Sequence, residues 1–235
     1  IIIMDETKAS IIEIEEETFT GKTLKFKTRE HEWGIETVKD VVGHDSYGIK
    51  NIRFDDDDNI IVVGAHLGAF TLLLTTLGKK LNIYAYEPVF ENYNFLLQNI
   101  NANPSDSKIH AFRLAVGVKK LKASVSWLGY TSIVDVITLE DIFKEHYLEK
   151  CKLIKFDCEG CEYDALGATP KEVLNKIDYI VGEWHWATRW QLHEMTKGVF
   201  SDGTELLGLN PQWSENPPVG FFGFINYKEL RKKWK

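Results

Sequence analysis

Hydrophobic and polar residues repeat along this chain on two periods, and the changes of period mark out its elements. Residues 60 to 63, Ile-Ile-Val-Val, are an unbroken β-branched run, the pattern of a strand buried on both faces. Gly64 ends the run, Gly68 follows, and Thr71-Leu-Leu-Leu-Thr-Thr-Leu continues as a helix. Strand, glycine turn and helix in succession predict the first half of a βαβ unit, whose crevice opens at the strand's carboxyl end.

The pattern recurs downstream. Leu81 to Tyr86 predicts a second strand closed by Glu87-Pro88, since Pro88 cannot continue a ladder. Tyr93, Leu96, Leu97 and Ile100 share one helical face. Ile109 to Val116 predicts a third strand, 117 to 137 a less regular stretch with a short strand pair, and Thr138 a capping residue for a helix with Asp141. Leu153 to Asp157 and Tyr179 to Glu183 predict a fourth and a fifth strand, each ending in an acid. Thr204 to Leu209 and Phe221 to Tyr227 predict a closing antiparallel pair, and Lys228 to Lys235 a short basic helix.

Residues 1–58 read as a lead-in or small β-rich cap to the main unit at 59–235, within one structural domain. Thr23-Leu-Lys-Phe-Lys-Thr alternates as a half-exposed strand, and Asp55 to Asp58 predict a solvated turn rather than a cation site.

With 235 residues, 44% of them hydrophobic, the chain can bury one large core. Its net charge of -7 argues against a nucleic-acid partner bound through phosphate neutralisation. No apolar run reaches membrane-spanning length, and Ile1-Ile-Ile-Met is cut short by Asp5-Glu6, so neither a span nor a signal peptide is expected. The opening on isoleucine predicts a processed chain or a domain excised from a larger one. Cys151, Cys158 and Cys161 are too few for a disulfide framework; reduced, structural thiols and a cytoplasmic location are expected. Cys158-Glu-Gly-Cys161 has the spacing of a redox or zinc pair, without a second pair to complete a zinc site.

The glycine count narrows the ligand. A dinucleotide needs G-x-G-x-x-G so that its pyrophosphate can rest on bare backbone, whereas Gly64-Ala-His-Leu-Gly68 has two glycines. Glu87 lies 23 residues past Gly64 (87 minus 64), where this architecture places an acid for ribose hydroxyls. A cofactor without phosphate, S-adenosylmethionine, fits better.

Val63-Gly-Ala-His-Leu-Gly-Ala-Phe-Thr, Tyr84-Ala-Tyr-Glu-Pro-Val-Phe-Glu-Asn-Tyr, Ala115-Val-Gly, Thr138-Leu-Glu-Asp-Ile and Leu153-Ile-Lys-Phe-Asp-Cys-Glu-Gly-Cys-Glu-Tyr together resemble the FkbM family of S-adenosylmethionine-dependent methyltransferases, from residue 60 to about 186. The resemblance implies an α/β, Rossmann-like class I methyltransferase: a seven-stranded, mainly parallel sheet with an antiparallel last strand and helices on both faces. It also implies O-methylation, often of a sugar or polyketide. It places the methionine end of the cofactor at Gly64, Ala65 and Gly68, with His66, Phe70 and Pro88 in the same turns, the ribose at Glu87, and the adenine near Ala115 and Val116. The chain departs from the family at Val62, where an acid is usual, and at His66, where asparagine is usual. Loss of the acid removes one partner for the cofactor's ammonium group.

Methyl transfer is an in-line displacement, so the protein mainly aligns the acceptor and removes its proton. Asp157, Glu159, Glu183 and His185 fall at or just beyond neighbouring strand tips, and Asp157, Glu159 and His185 are the catalytic candidates. His185 has the unperturbed pKa best suited to a base near neutrality. Asp157, Glu183 and His185 could instead hold magnesium or manganese, lowering the hydroxyl's pKa directly; helix capping competes as a role for Glu159. Trp184, Trp186 and Trp190, with Trp213 further on, could stack on a sugar acceptor, or simply fill the core. Methylation of RNA or protein, and a binding module without catalysis, are the competing functions.

Overall fold

The computed structural model describes residues 10–30, 32–127, 130–185, 188–211, 214–215 and 218–233. The chain opens on a hairpin of β1 (Ile11–Glu17) and β2 (Thr23–Arg29), in which Leu24, Phe26 and Thr28 turn inward and alternate with Lys25 and Lys27. Helix α1 (Glu32–Val38), a π-helical turn (Lys39–Gly43) and a 3-10 turn (Ile49–Asn51) complete this N-terminal segment. The cap is therefore half strand and half helix.

The main sheet then builds through β3 (Asn59–Val63), α2 (Ala69–Thr75), β4 (Asn82–Tyr86), α3 (Phe90–Ala102) and β5 (Lys108–Phe112). A side sheet follows, of β6 (Ala115–Val116), β7 (Leu121–Trp127) and β8 (Tyr130–Ile137). The chain returns through α4 (Leu139–Glu145), β9 (Cys151–Phe156), α5 (Cys161–Ala168), α6 (Lys171–Leu174), β10 (Ile177–His185) and α7 (Arg189–Met195). It closes with β11 (Phe200–Asp202), β12 (Ser214–Glu215), β13 (Pro218–Asn226) and α8 (Tyr227–Lys233).

Seven strands lie in the order β11-β13-β10-β9-β3-β4-β5, with the two-residue β12 paired to β13. Strands β5, β4, β3, β9 and β10 run parallel, and β13 runs antiparallel to β10 and β11. Side-chain alternation divides the core between the two faces. Ile60 and Val62 point into one cluster with α2, α3 and the cap, while Ile61 and Val63 point into another with α4, α5, α6 and α7.

Two sequence expectations need correction. The predicted third strand stops at Phe112, whose carbonyl turns to accept from the Glu87 amide at 3.0 Å, and Ala115–Val116 joins the side sheet instead. Residues 204–209 are a tight turn rather than a strand: the Leu207 and Leu209 amides bond back to Gly203 and Thr204. Leu207 and Leu209 are both buried, so inward side chains gave that turn the look of a strand. Phe200–Asp202 takes the antiparallel place beside β13.

Candidate active site

The order of the sheet reverses between β3 and β9, from which the chain winds outward in opposite directions. Such a switch point leaves a crevice beyond the carboxyl ends of both strands. Gly64, at φ +72°, sits there because nothing larger fits: a β-carbon would come 1.7 Å from the Asp157 carbonyl oxygen. His66 is also left-handed, at φ 50°.

A cavity of about 560 Å³ occupies the crevice, a size suited to a small ligand. Gly64, His66, Glu87, Pro88 and Asn92 form one wall, and Asp157, Glu159 and Glu183 form another. Residues Glu36, Asp40, His44, Ser46 and Tyr47, all from the N-terminal segment, close a third side. Ala65, Gly68, Phe70, Ala115 and Val116 do not line it. Ala65 and Phe70 are buried behind the glycine turn, Gly68 packs on Leu96, and Ala115 and Val116 belong to the side sheet.

Glu87 is only 4% exposed. Its carboxylate accepts from the His66 amide at 2.8 Å and the Val89 amide at 2.9 Å. Burial raises its pKa to about 7 against these hydrogen bonds. The Asn92 side chain also donates to it, which leaves capacity on the carboxylate for a further donor such as a ribose hydroxyl. Ser46 Oγ on the cavity wall is buried without a hydrogen-bond partner, which is rare unless a ligand supplies one. A cavity of this size, Glu87 and the unpaired Ser46 hydroxyl fit S-adenosylmethionine.

The acids expected at the strand tips come together. Asp157 Oδ2 accepts from Lys155 Nζ at 3.1 Å, and the Tyr47 hydroxyl lies 2.9 Å from it and 3.2 Å from Glu183 Oε1. Burial works to raise the Asp157 pKa, but the charges of Lys155 and His185 hold it below the usual range. Glu183 is raised by burial and by Asp157. Glu159, at φ 58° and partly exposed, is pushed up to about 7 by burial and the neighbouring carboxylates, against the pull of His185.

His185 is ringed by carboxylates. Its Nδ1 lies 3.1 Å from Glu162 Oε1, and its Nε2 is 3.6 Å from Glu183 and 3.7 Å from Glu159. Burial opposes its charge, yet the hydrogen bond to Glu162 and the nearby Glu183 carboxylate prevail and lift its pKa to about 10. In its protonated form the ring has no lone pair to offer. Asp157, Glu183 and His185 do present one ligand atom each within 4.8 Å of one another, so a divalent cation fits this trio once His185 gives up its proton.

Trp184 is 6% exposed, and its indole N–H donates to the Pro211 carbonyl at 2.9 Å, making it a core residue. Trp190 is exposed on α7, with Arg189 over its ring at 4.9 Å. Trp186 and Trp213 lie outside the described residues. The cysteine expectation is half corrected: Cys151 is a buried free thiol, but Cys158 and Cys161 form a disulfide. Gly160, at φ +104°, turns the chain into α5 and brings the two Cα atoms to 5.4 Å, within disulfide reach. The reduced-thiol argument for a cytoplasmic location therefore falls. Among the described residues no helix is long and apolar enough to cross a membrane.

Sequence reasoning missed Tyr47, Lys155 and Glu162. A lone lysine in the apolar strand Leu153-Ile-Lys-Phe-Asp157 was a signal of a buried ion pair. Tyr47 carries no local signal, because its partner Asp157 is 110 residues away.

The model of the methyltransferase FkbM domain matches residues 63–202, more than half of the chain. The chain belongs to the FkbM family. It is an S-adenosylmethionine-dependent methyltransferase, and the cofactor of its family is S-adenosylmethionine. A SAM-dependent methyltransferase from Agrobacterium tumefaciens matches this FkbM methyltransferase in structure with a TM-score of 0.53 at 10% identity, over 93% of this chain and 72% of that one. An rRNA methylase from Streptococcus thermophilus gives a TM-score of 0.48 at 14% identity, over 78% of this chain and 93% of the other. Identities this low speak to fold alone. Among curated proteins there is no match.

Val62, the departure from the family pattern, is wholly buried and pairs in register with Lys155. An acid there would stand beside the Lys155 ammonium, and in this FkbM methyltransferase that ammonium turns to Asp157 and to the Gly64 carbonyl.

Proposed function

We propose that this FkbM methyltransferase methylates a hydroxyl of a sugar, carried in a glycan or a glycosylated metabolite. The observation that carries the reading is the row of carboxylates, Asp157, Glu159 and Glu183, facing the cofactor turn across one cavity. The bound cofactor supplies a methyl carbon made electrophilic by its sulfonium. Main chain around Gly64 and His66 holds its amino-acid end, and Glu87 takes the ribose. Asp157 and Glu183 accept hydrogen bonds from the acceptor's hydroxyls, and Glu159 takes the proton of the one that reacts, its pKa near 7 matching that task.

The same acids weigh on the acceptor's nature. With Glu36 and Asp40 they give the cavity an acidic lining, which favours neutral polyols and repels a phosphate backbone. Methyl transfer from labelled cofactor onto a panel of glycans, small phenols and RNA tests this. Incorporation into glycans is expected; incorporation into RNA alone would overturn it.

A second reading is metal assistance, with magnesium or manganese on Asp157, Glu183 and His185, supported by their ligand atoms lying within 4.8 Å. Assays after chelation and after restoring the metal separate the two. Base catalysis by Glu159 survives chelation.

A further inference from the structure

The geometry points to Tyr47 as a positioning residue for methyl transfer: its hydroxyl lies between Asp157 and Glu183 and fixes how the two carboxylates meet the acceptor. This rests on the reading that the strand-tip acids serve the transfer. Tyr47 precedes the matched stretch 63–202, so nothing in the family likeness assigns it a role.

The ring is locked in place. It is 1% exposed and packs edge-on against Phe70 at 5.1 Å and Phe221 at 5.4 Å. Lys155 Nζ sits 5.1 Å from its centroid and also donates to the same Asp157 oxygen that faces the phenol. The hydroxyl therefore cannot follow a carboxylate that moves; the carboxylates must come to it.

A phenol has one hydrogen and accepts through its lone pairs. That hydrogen serves one carboxylate at a time, while the Lys155 ammonium donates to the same Asp157 oxygen that faces the phenol. The fixed phenol oxygen therefore sets where the Asp157 oxygen just past β9 and the Glu183 oxygen on β10 stand relative to the cavity.

Tyr47→Phe removes the hydroxyl and keeps the ring. The expected result is a fall in kcat of about a hundredfold, with the KM for the acceptor, cofactor affinity by calorimetry and the melting temperature all unchanged. Wild-type kcat would overturn the proposal. So would a loss of activity matched by a lower melting temperature. Full turnover in Glu159→Gln would overturn the base assignment instead, leaving the kcat of Tyr47→Phe to judge Tyr47.

Discussion

The ammonium of Lys155 donates to the carbonyl of Gly64 at 2.9 Å, tying β9 to the turn that leaves β3. The same ammonium holds Asp157, so one buried cation fixes the glycine turn and the strand-tip carboxylate together.

Lys155→Met should therefore unsettle both. It strands the Gly64 carbonyl and removes the main charge that keeps Asp157 ionised. Breaking a buried pair from one side costs about 3 kcal/mol, at the low end here because the Asp157 side chain retains 28% exposure. Urea unfolding, with midpoint and slope fitted, measures this. An unchanged midpoint would show that the lysine contributes little.

Glu87→Gln should weaken cofactor binding by about 2 kcal/mol, the worth of charged hydrogen bonds to the ribose. Since Glu87 ionises near pH 7, wild-type affinity should rise as pH climbs through 7, and the variant should lose that rise. The sign for folding is the reverse. An acid raised from 4.5 to about 7 binds more protons folded than unfolded, so its contribution to stability declines between those values. Calorimetric titrations at pH 6 and 8 check the binding half.

Glu159→Gln should lower kcat by about 10²- to 10⁴-fold, the usual worth of a general base, while sparing cofactor affinity. In the wild type kcat should rise with pH around 7, where Glu159 loses its proton. A profile that keeps this limb in the variant would move the role of base elsewhere.

His185→Asn should be destabilising in a pH-dependent way. The histidine's pKa is raised from 6.5 to about 10 in the fold, so its stabilising effect is complete below about 6.5 and is lost as pH rises towards 10. The stability gap between wild type and variant should be widest near pH 6 and shrink by pH 10. Chemical denaturation at several pH values gives the comparison.

What could be read from the chain was whatever depends on neighbours in sequence. Ile60 to Gly68 announced strand, turn and helix because burial on both faces and the crowding at Gly64 act within a few residues. Glu87, Asp157 and Glu183 were found because strand tips in such a sheet point at one crevice. Long-range partners were beyond reach: nothing near Tyr47 marks it as meeting Asp157, and nothing near His185 reveals that Glu162 would hold it protonated. The cysteines misled because their spacing was weighed against zinc and framework disulfides, whereas Gly160 lets two residues three apart close a ring of their own.

The walls supplied by Tyr47 and Phe221 come from opposite ends of the chain, one before residue 63 and one after 202. The limits of family likeness are therefore not the limits of a working enzyme. Trimming the protein to its recognisable stretch would keep Gly64 and Glu87 but take away β3 up to Val63, the strand between β9 and β4, along with the walls that Tyr47 and Phe221 supply. Grafting another relative's leading segment onto this sheet would instead change one wall of the cavity and leave Gly64 and Glu87 as they are. Selectivity and cofactor use can in that way diverge separately within one fold.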